Sequence, residues 1–210
     1  MRVESATTTM PQPAYNELLL QRDGNRYRWE LLENRNLTLQ HLDTNEVLKT
    51  VRLGIECGRL PEDTGTDIPV ILGKFGLLKD GVLNNAAAVL FGKHEDMEYP
   101  QCLLRLARFK GTDKTVFMDS QRIQGNFFQL LNAAMAFIFK HLSLSGTTDT
   151  LEREEHLTIP YKAIREGVLN SLTHRSYKEA GGSVGIAIYD DRVEIENPGT
   201  FPPDWDAEKM

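Results

Sequence analysis

Cysteine is nearly absent: Cys57 and Cys102 are the two in 210 residues. Alone they make neither a disulfide framework nor a four-ligand zinc site, and a reducing cytoplasm is the expected compartment. Long apolar runs are missing too. The richest stretch, Leu130–Leu144, is interrupted by polar residues and by Lys140, so no segment is expected to span a membrane. Met1–Tyr15 offers no apolar core for a secretory signal. No phosphate loop of the form G-x-x-x-x-G-K-[ST] occurs, because Gly73-Lys74 and Gly92-Lys93 lack both the earlier Gly and the following Ser or Thr. His41, His94, His141, His156 and His174 do not pair at metal-ligand spacing with one another or with a cysteine.

Positive charge is also in short supply. Against 30 acidic residues there are 24 Lys and Arg, a formal net charge of −6. Basic and acidic residues number 8 and 8 in 1–60, 3 and 7 in 61–100, 6 and 3 in 101–150, and 7 and 12 in 151–210. Only the third segment is net basic, and a long apolar helix dilutes it. Phosphate neutralisation supplies most nucleic-acid affinity, so tight DNA binding is not expected of these residues themselves. Arg105, Arg108, Lys110 and Lys114 read as a solvated sheet face, with a basic strand edge as the alternative.

What is present is ordinary folded-protein chemistry: 40% hydrophobic and 26% charged residues, enough for one large domain or two small ones. Residues 1–24 read as an arm and a short helix, Pro13–Arg22, and alternation at Tyr27, Trp29 and Leu31 predicts a strand. Thr44 or Asn45 is placed to cap a helix ending near Cys57, with Gly58 as its stop, and a short helix is expected over about Asp67–Phe75. Lys79-Asp80-Gly81 signals a turn, and the apolar run Ala86–Phe91 has strand length. Leu103–Phe109 and Val116–Ile123 alternate as neighbouring strands, and Asn126–Leu142 carries the broad apolar stripe of a central packing helix. Ser143–Asp149 reads as a connection. A helix over Tyr161–Arg175 follows, then strands Val184–Tyr189 and Arg192–Glu196 about the turn Asp190-Asp191. The expected fold is α+β, a mixed or mainly antiparallel sheet with packed helices. Residues 25–145 and 146–210 are expected to pack as one domain, a fragment of a longer protein.

The chemistry concentrates in the helix near residue 170. At 100° per residue, Ile164, Val168, Leu169 and Leu172 share one side, while Glu166, Asn170 and His174 stack at i, i+4 and i+8 on the other. The small residues Ala163, Gly167 and Ser171 between them leave room for a ligand. A carboxylate with an amide can hold a hydrated magnesium ion or orient a water. The competing reading is the solvated face of an ordinary amphipathic helix.

The order E-x-x-x-N-S-x-x-H-R, the strands Y-D-D-R-V-E-I-E and the following N-P-G-T-F-P resemble the carboxyl-terminal region of the RecG-helicase-related bacterial transcriptional regulators, which carry a Schlafen/Alba-like DNA-binding domain at the amino end. Leu77–Lys93, Ala107–Asp113 and Asp119–Asn126 resemble that family's middle portion, and Arg2–Thr8 the last strand of its Alba-like domain. The carboxyl-terminal region is similar to the GHKL (Bergerat) ATP-binding fold. The resemblance implies a general base at Glu166, a magnesium ligand at Asn170, and a nucleotide site shared by Asn170, His174, Asn197 and Gly199, with ATP and Mg as cofactors. It departs from the D-x-G-x-G pattern in having Asn197 for the adenine-reading Asp and Phe201 for the second Gly. Weak ATP–magnesium binding is therefore expected of this chain. Two functions follow from the likeness: a regulatory or dimerising module of a transcriptional regulator, touching DNA through other regions, or a nucleotide-binding ATPase domain. A homodimer is the expected partner arrangement.

Overall fold

The computed structural model describes residues 11–12, 28–93, 95, 99–142 and 159–199, and the backbone of 2–3, 6–7, 144–147 and 154–157. The expected helix Pro13–Arg22 lies outside these residues. At the amino end, β1 (Arg2–Val3) pairs antiparallel with β2 (Ala6–Thr7). Trp29–Leu31 is a 3-10 turn where alternation predicted a strand. Trp29 stacks on Tyr177 and meets Tyr99 edge-on, so ring packing holds the segment in place of a strand partner.

The first layer is helical, with a small sheet at its edge: β3 (Glu33–Asn34), α1 (Thr44–Glu56), α2 (Ile68–Lys74), β4 (Leu78–Lys79), β5 (Val82–Asn84) and α3 (Asn85–Phe91). Asp43, one residue before the expected caps, accepts from the amides of Asn45 and Glu46 and starts α1. Asp67 caps α2 by accepting from Val70 N. The strands run β3-β5-β4, antiparallel throughout. Asp80 and Gly81, at φ 49° and 79°, supply the left-handed turn between β4 and β5. Val47, Val51, Ile71, Leu72, Leu83, Ala87 and Phe91 form one buried cluster.

Ala86–Phe91 is helix, not strand. Asn84 accepts from Ala87 N at 3.1 Å and nucleates the turn, and burial on nearly every side erases the polar positions that would have revealed a helical period.

The second layer is a four-stranded mixed sheet, order β11-β10-β6-β7, built from β6 (Leu103–Phe109), β7 (Phe117–Gln124), β10 (Val184–Ile188) and β11 (Val193–Glu196). β6 and β10 are parallel and the outer pairings antiparallel. The run at Ala86, expected among these strands, is not one of them. α4 (Phe127–His141) and α5 (Tyr161–Thr173) cover one face. Between α4 and α5 the expected Ser/Gly/Thr connection includes the strand β8 (Leu144–Thr147), paired with β9 (Glu154–Leu157).

Val184, Ile186 and Ile188 are buried in one cluster with Val168 and Leu172 of α5 and with Leu130, Phe137 and Ile138 of α4. Alternation along β10 thus points every second side chain at the helices. Phe128 of α4 packs into the first cluster and Phe127 against the second, so one helix end joins the two layers. A capping box at Asn126 and Gln129 fixes that end, and the Asn126 amide also donates to Gly92 O at 3.0 Å. No helix among the described residues is long and apolar enough to cross a membrane.

Candidate functional site

α5 begins after Pro160 and turns Ile164, Val168 and Leu172 into the core. Its back face carries Glu166 and Asn170, both exposed, with the Asn170 Nδ2 amide donating to Glu166 Oε1 at 3.2 Å. His174, also exposed, ends the helix, its main-chain N–H reaching Asn170 O at 2.9 Å. The structure thus brings Glu166 and Asn170 together as their spacing demands, and His174 follows just past the last helical residue. A Cβ added at Gly167 would lie 3.3 Å from Ile195 Cδ1, so this glycine lets the helix sit close on β11.

Asn197 and Gly199 come to the far end of the same helix. The Asn197 Nδ2 amide donates to Ser171 O at 3.1 Å, and its Oδ1 accepts from Gly199 N at 3.3 Å. Ser176 N donates to Pro198 O, and a Cβ on Gly199 would fall 2.4 Å from His174 O. Asn197-Pro198-Gly199 thus clasps the carboxyl end of α5 and satisfies a carbonyl that the helix leaves orphaned. The Asn197 amide donates to one carbonyl and accepts from one main-chain N–H, a pairing that an ionised Asp, which only accepts, would not make.

Glu166 and Asn170 offer oxygen donors for a hydrated magnesium ion that takes its remaining ligands from water or phosphate. The adenine-reading position fits less well, because both polar ends of Asn197 are engaged within the fold. Two cavities lie elsewhere, and Glu166, Asn170, His174, Asn197 and Gly199 line neither of them. One, of about 460 Å³, sits on the sheet face opposite the helices. The other, about 690 Å³, lies between β3–β5 and α2.

Behind the clasp is a buried polar cluster to which the sequence pattern attached no role. Arg175 is 4% exposed, its guanidinium lies 4.8 Å from the Tyr177 ring centre, and its Nη2 donates to Gly182 O at 3.0 Å. Among the described residues its Nε and Nη1 are buried without a hydrogen-bond partner. Burial lowers the Arg175 pKa, raises that of Tyr177, and pushes the Cys102 thiol up to about 12. The signal available beforehand was the R-S-Y order directly after His174, with no apolar period to mark it as interior.

Residues 181–210 resemble a known family. They match the one described as "Putative ATP-dependent DNA helicase recG C-terminal", a stretch of 30 of the 210 residues that begins at the turn before β10. The match includes Asn197 and Gly199 and leaves out Glu166, Asn170 and His174. The carboxyl-terminal stretch is thus similar to a RecG-related, ATPase-like family. No curated protein matches the chain. Among solved structures, the DIP2311 protein from Corynebacterium diphtheriae is similar with a TM-score of 0.65 at 15% identity, over 97% of this chain and 39% of that one. At that identity the likeness is one of fold, and this chain spans well under half the length of that neighbour.

Proposed function

We propose that the chain is an ATPase-like module that has given up nucleotide turnover and serves as a regulatory or dimerising part of a RecG-related transcriptional regulator, whose DNA contacts lie in other regions. The observation that carries this reading is the double engagement of Asn197. The side chain that would read adenine instead holds the end of α5, while Glu166 and Asn170 satisfy each other on an exposed helix face. The net charge of −6 supports assigning DNA contact elsewhere.

A titration of the chain with ATP and magnesium followed by calorimetry tests the proposal. Binding weaker than about 1 mM is expected, the range where binding free energy falls to about −4 kcal/mol. A micromolar dissociation constant that Asn170→Ala abolishes overturns it.

The second reading is a nucleotide-binding domain of the GHKL kind, with Glu166 as general base and Asn170 at magnesium. The Glu166–Asn170 pair and the family match over 181–210 favour it.

A further inference from the structure

The sheet face turned away from α4 and α5 carries a charged row with an asymmetric composition. Backbone register places Glu196 of β11 beside Gly185 of β10, Gly185 beside Arg105 of β6, and Arg105 beside Arg122 of β7. All four line the concavity of about 460 Å³ on that face. Two arginines directly opposite on neighbouring strands repel. Among the described residues neither Arg105 nor Arg122 has a carboxylate partner, and Glu196 has no cation.

The next row behaves differently. It runs Glu194, Ala187, Ala107, Ser120, and its one charge is settled within the chain. Glu194 accepts from Arg192 Nε at 2.7 Å and from the Tyr189 hydroxyl at 3.3 Å. Local partners exist where the fold needs them, which makes the unmatched first row the exception.

We propose that this face docks on the same face of a second copy of the chain, about a two-fold axis lying between the sheets and running parallel to the strands. Such an axis exchanges left and right across the sheet while keeping position along the strands. It lays β11 over the partner's β7 and β10 over the partner's β6. Glu196 then meets an arginine at position 122 of the second copy, twice by symmetry. The guanidinium at position 105 of the second copy enters the gap over Gly185, where a side chain would otherwise stand. Glu194 lies over a serine hydroxyl, and the small residues Ala107 and Ala187 let the two sheets approach. The row is self-complementary under this operation, as an isologous contact requires.

Four strands about 4.8 Å apart and six or so residues long give roughly 400 Å² of flat area per partner, below the ~800 Å² of a standard stable interface. The dimer is accordingly a reversible one, formed at micromolar or higher concentration. It deepens the dimerising part of the proposed function by naming the surface, and it stands or falls independently of nucleotide binding.

Sedimentation equilibrium of the chain from about 5 to about 500 μM, spanning micromolar to near-millimolar dissociation constants, tests it. The expected mass rises from 23.8 kDa toward twice that value. Arg122→Glu or Glu196→Arg alone sets like charges against each other twice per dimer and weakens association about tenfold or more. Arg122→Glu combined with Glu196→Arg restores association to near the unsubstituted level. Gly185→Arg, whose Cβ would meet Glu196 Cβ at an ordinary van der Waals distance of 4.0 Å in the single chain, blocks it with unchanged circular dichroism. A chain that stays monomeric at every concentration overturns the proposal, as does failure of the double charge exchange to restore association. Monomers whose arginine resonances respond to inorganic phosphate would also overturn it and make the pair an anion clamp.

Discussion

The side-chain amide of Asn197 donates to the main-chain carbonyl of Ser171 across 3.1 Å, tying the segment after β11 to the last turn of α5. An aspartate there would lose the donor and set a carboxylate against a helix carboxyl terminus, where the backbone dipole already places negative charge. Asn197→Asp, the change that brings the chain nearer to the D-x-G-x-G pattern, should therefore destabilise it by about 1–2 kcal/mol in urea unfolding. An unchanged midpoint, or a large gain in ATP affinity, would assign Asn197 to ligand recognition instead.

Gly199 stands where no side chain fits. Its Cβ would come 2.4 Å from His174 O, a backbone atom that cannot swing away. Gly199→Ala should cost about 1–3 kcal/mol, as overpacking does. Gly181→Ala, with nothing within 4 Å of its added carbon, should shift the midpoint little. Equal effects from the two would show that the clasp yields without cost.

Much of this architecture was legible because periodicity and burial agree. Leu104 and Leu106 point inward between Arg105 and Ala107, and α4 keeps one wide apolar stripe, so strand and helix both declared themselves. Ala86–Phe91 did not, since a short helix buried on nearly every side loses the polar positions that mark a period. The Asn197 clasp was invisible for another reason. Its partner, Ser171 O, lies 26 residues back and is a backbone atom, so residue identity holds no record of it. Glu166 and Asn170 were readable as one helix face from spacing alone, whereas Arg175 lies against Tyr177, whose ring stacks on Trp29 through a contact that only tertiary structure makes.

Phe137 measures how firmly α4 is seated. It is 3% exposed and packs in the cluster shared by α4, α5 and the sheet. Phe137→Ala should cost about 3–5 kcal/mol from lost transfer energy and the cavity left behind. A loss under about 1 kcal/mol in a reversible melt would mean that the surroundings collapse onto the site.

The two thiols should behave oppositely. Cys57 is exposed, whereas Cys102 is 1% exposed and its pKa is pushed up to about 12, chiefly by burial, against a lesser opposing pull from Arg175. Since the thiolate is the reactive form, an aromatic disulfide reagent near pH 8 should titrate one thiol in the native chain and two after denaturation. The linkage has a definite sign. A thiol whose folded pKa lies above its unfolded value near 8.5 favours the folded state fully at lower pH, and that contribution is lost as pH rises from there toward about 12. Cys102→Ala removes this term, so its unfolding midpoint should depend less on pH between about 8.5 and 10.5 than that of the unsubstituted chain. Two thiols reacting at equal rates in the native state, or parallel pH profiles for the two chains, would show that Cys102 is open to solvent.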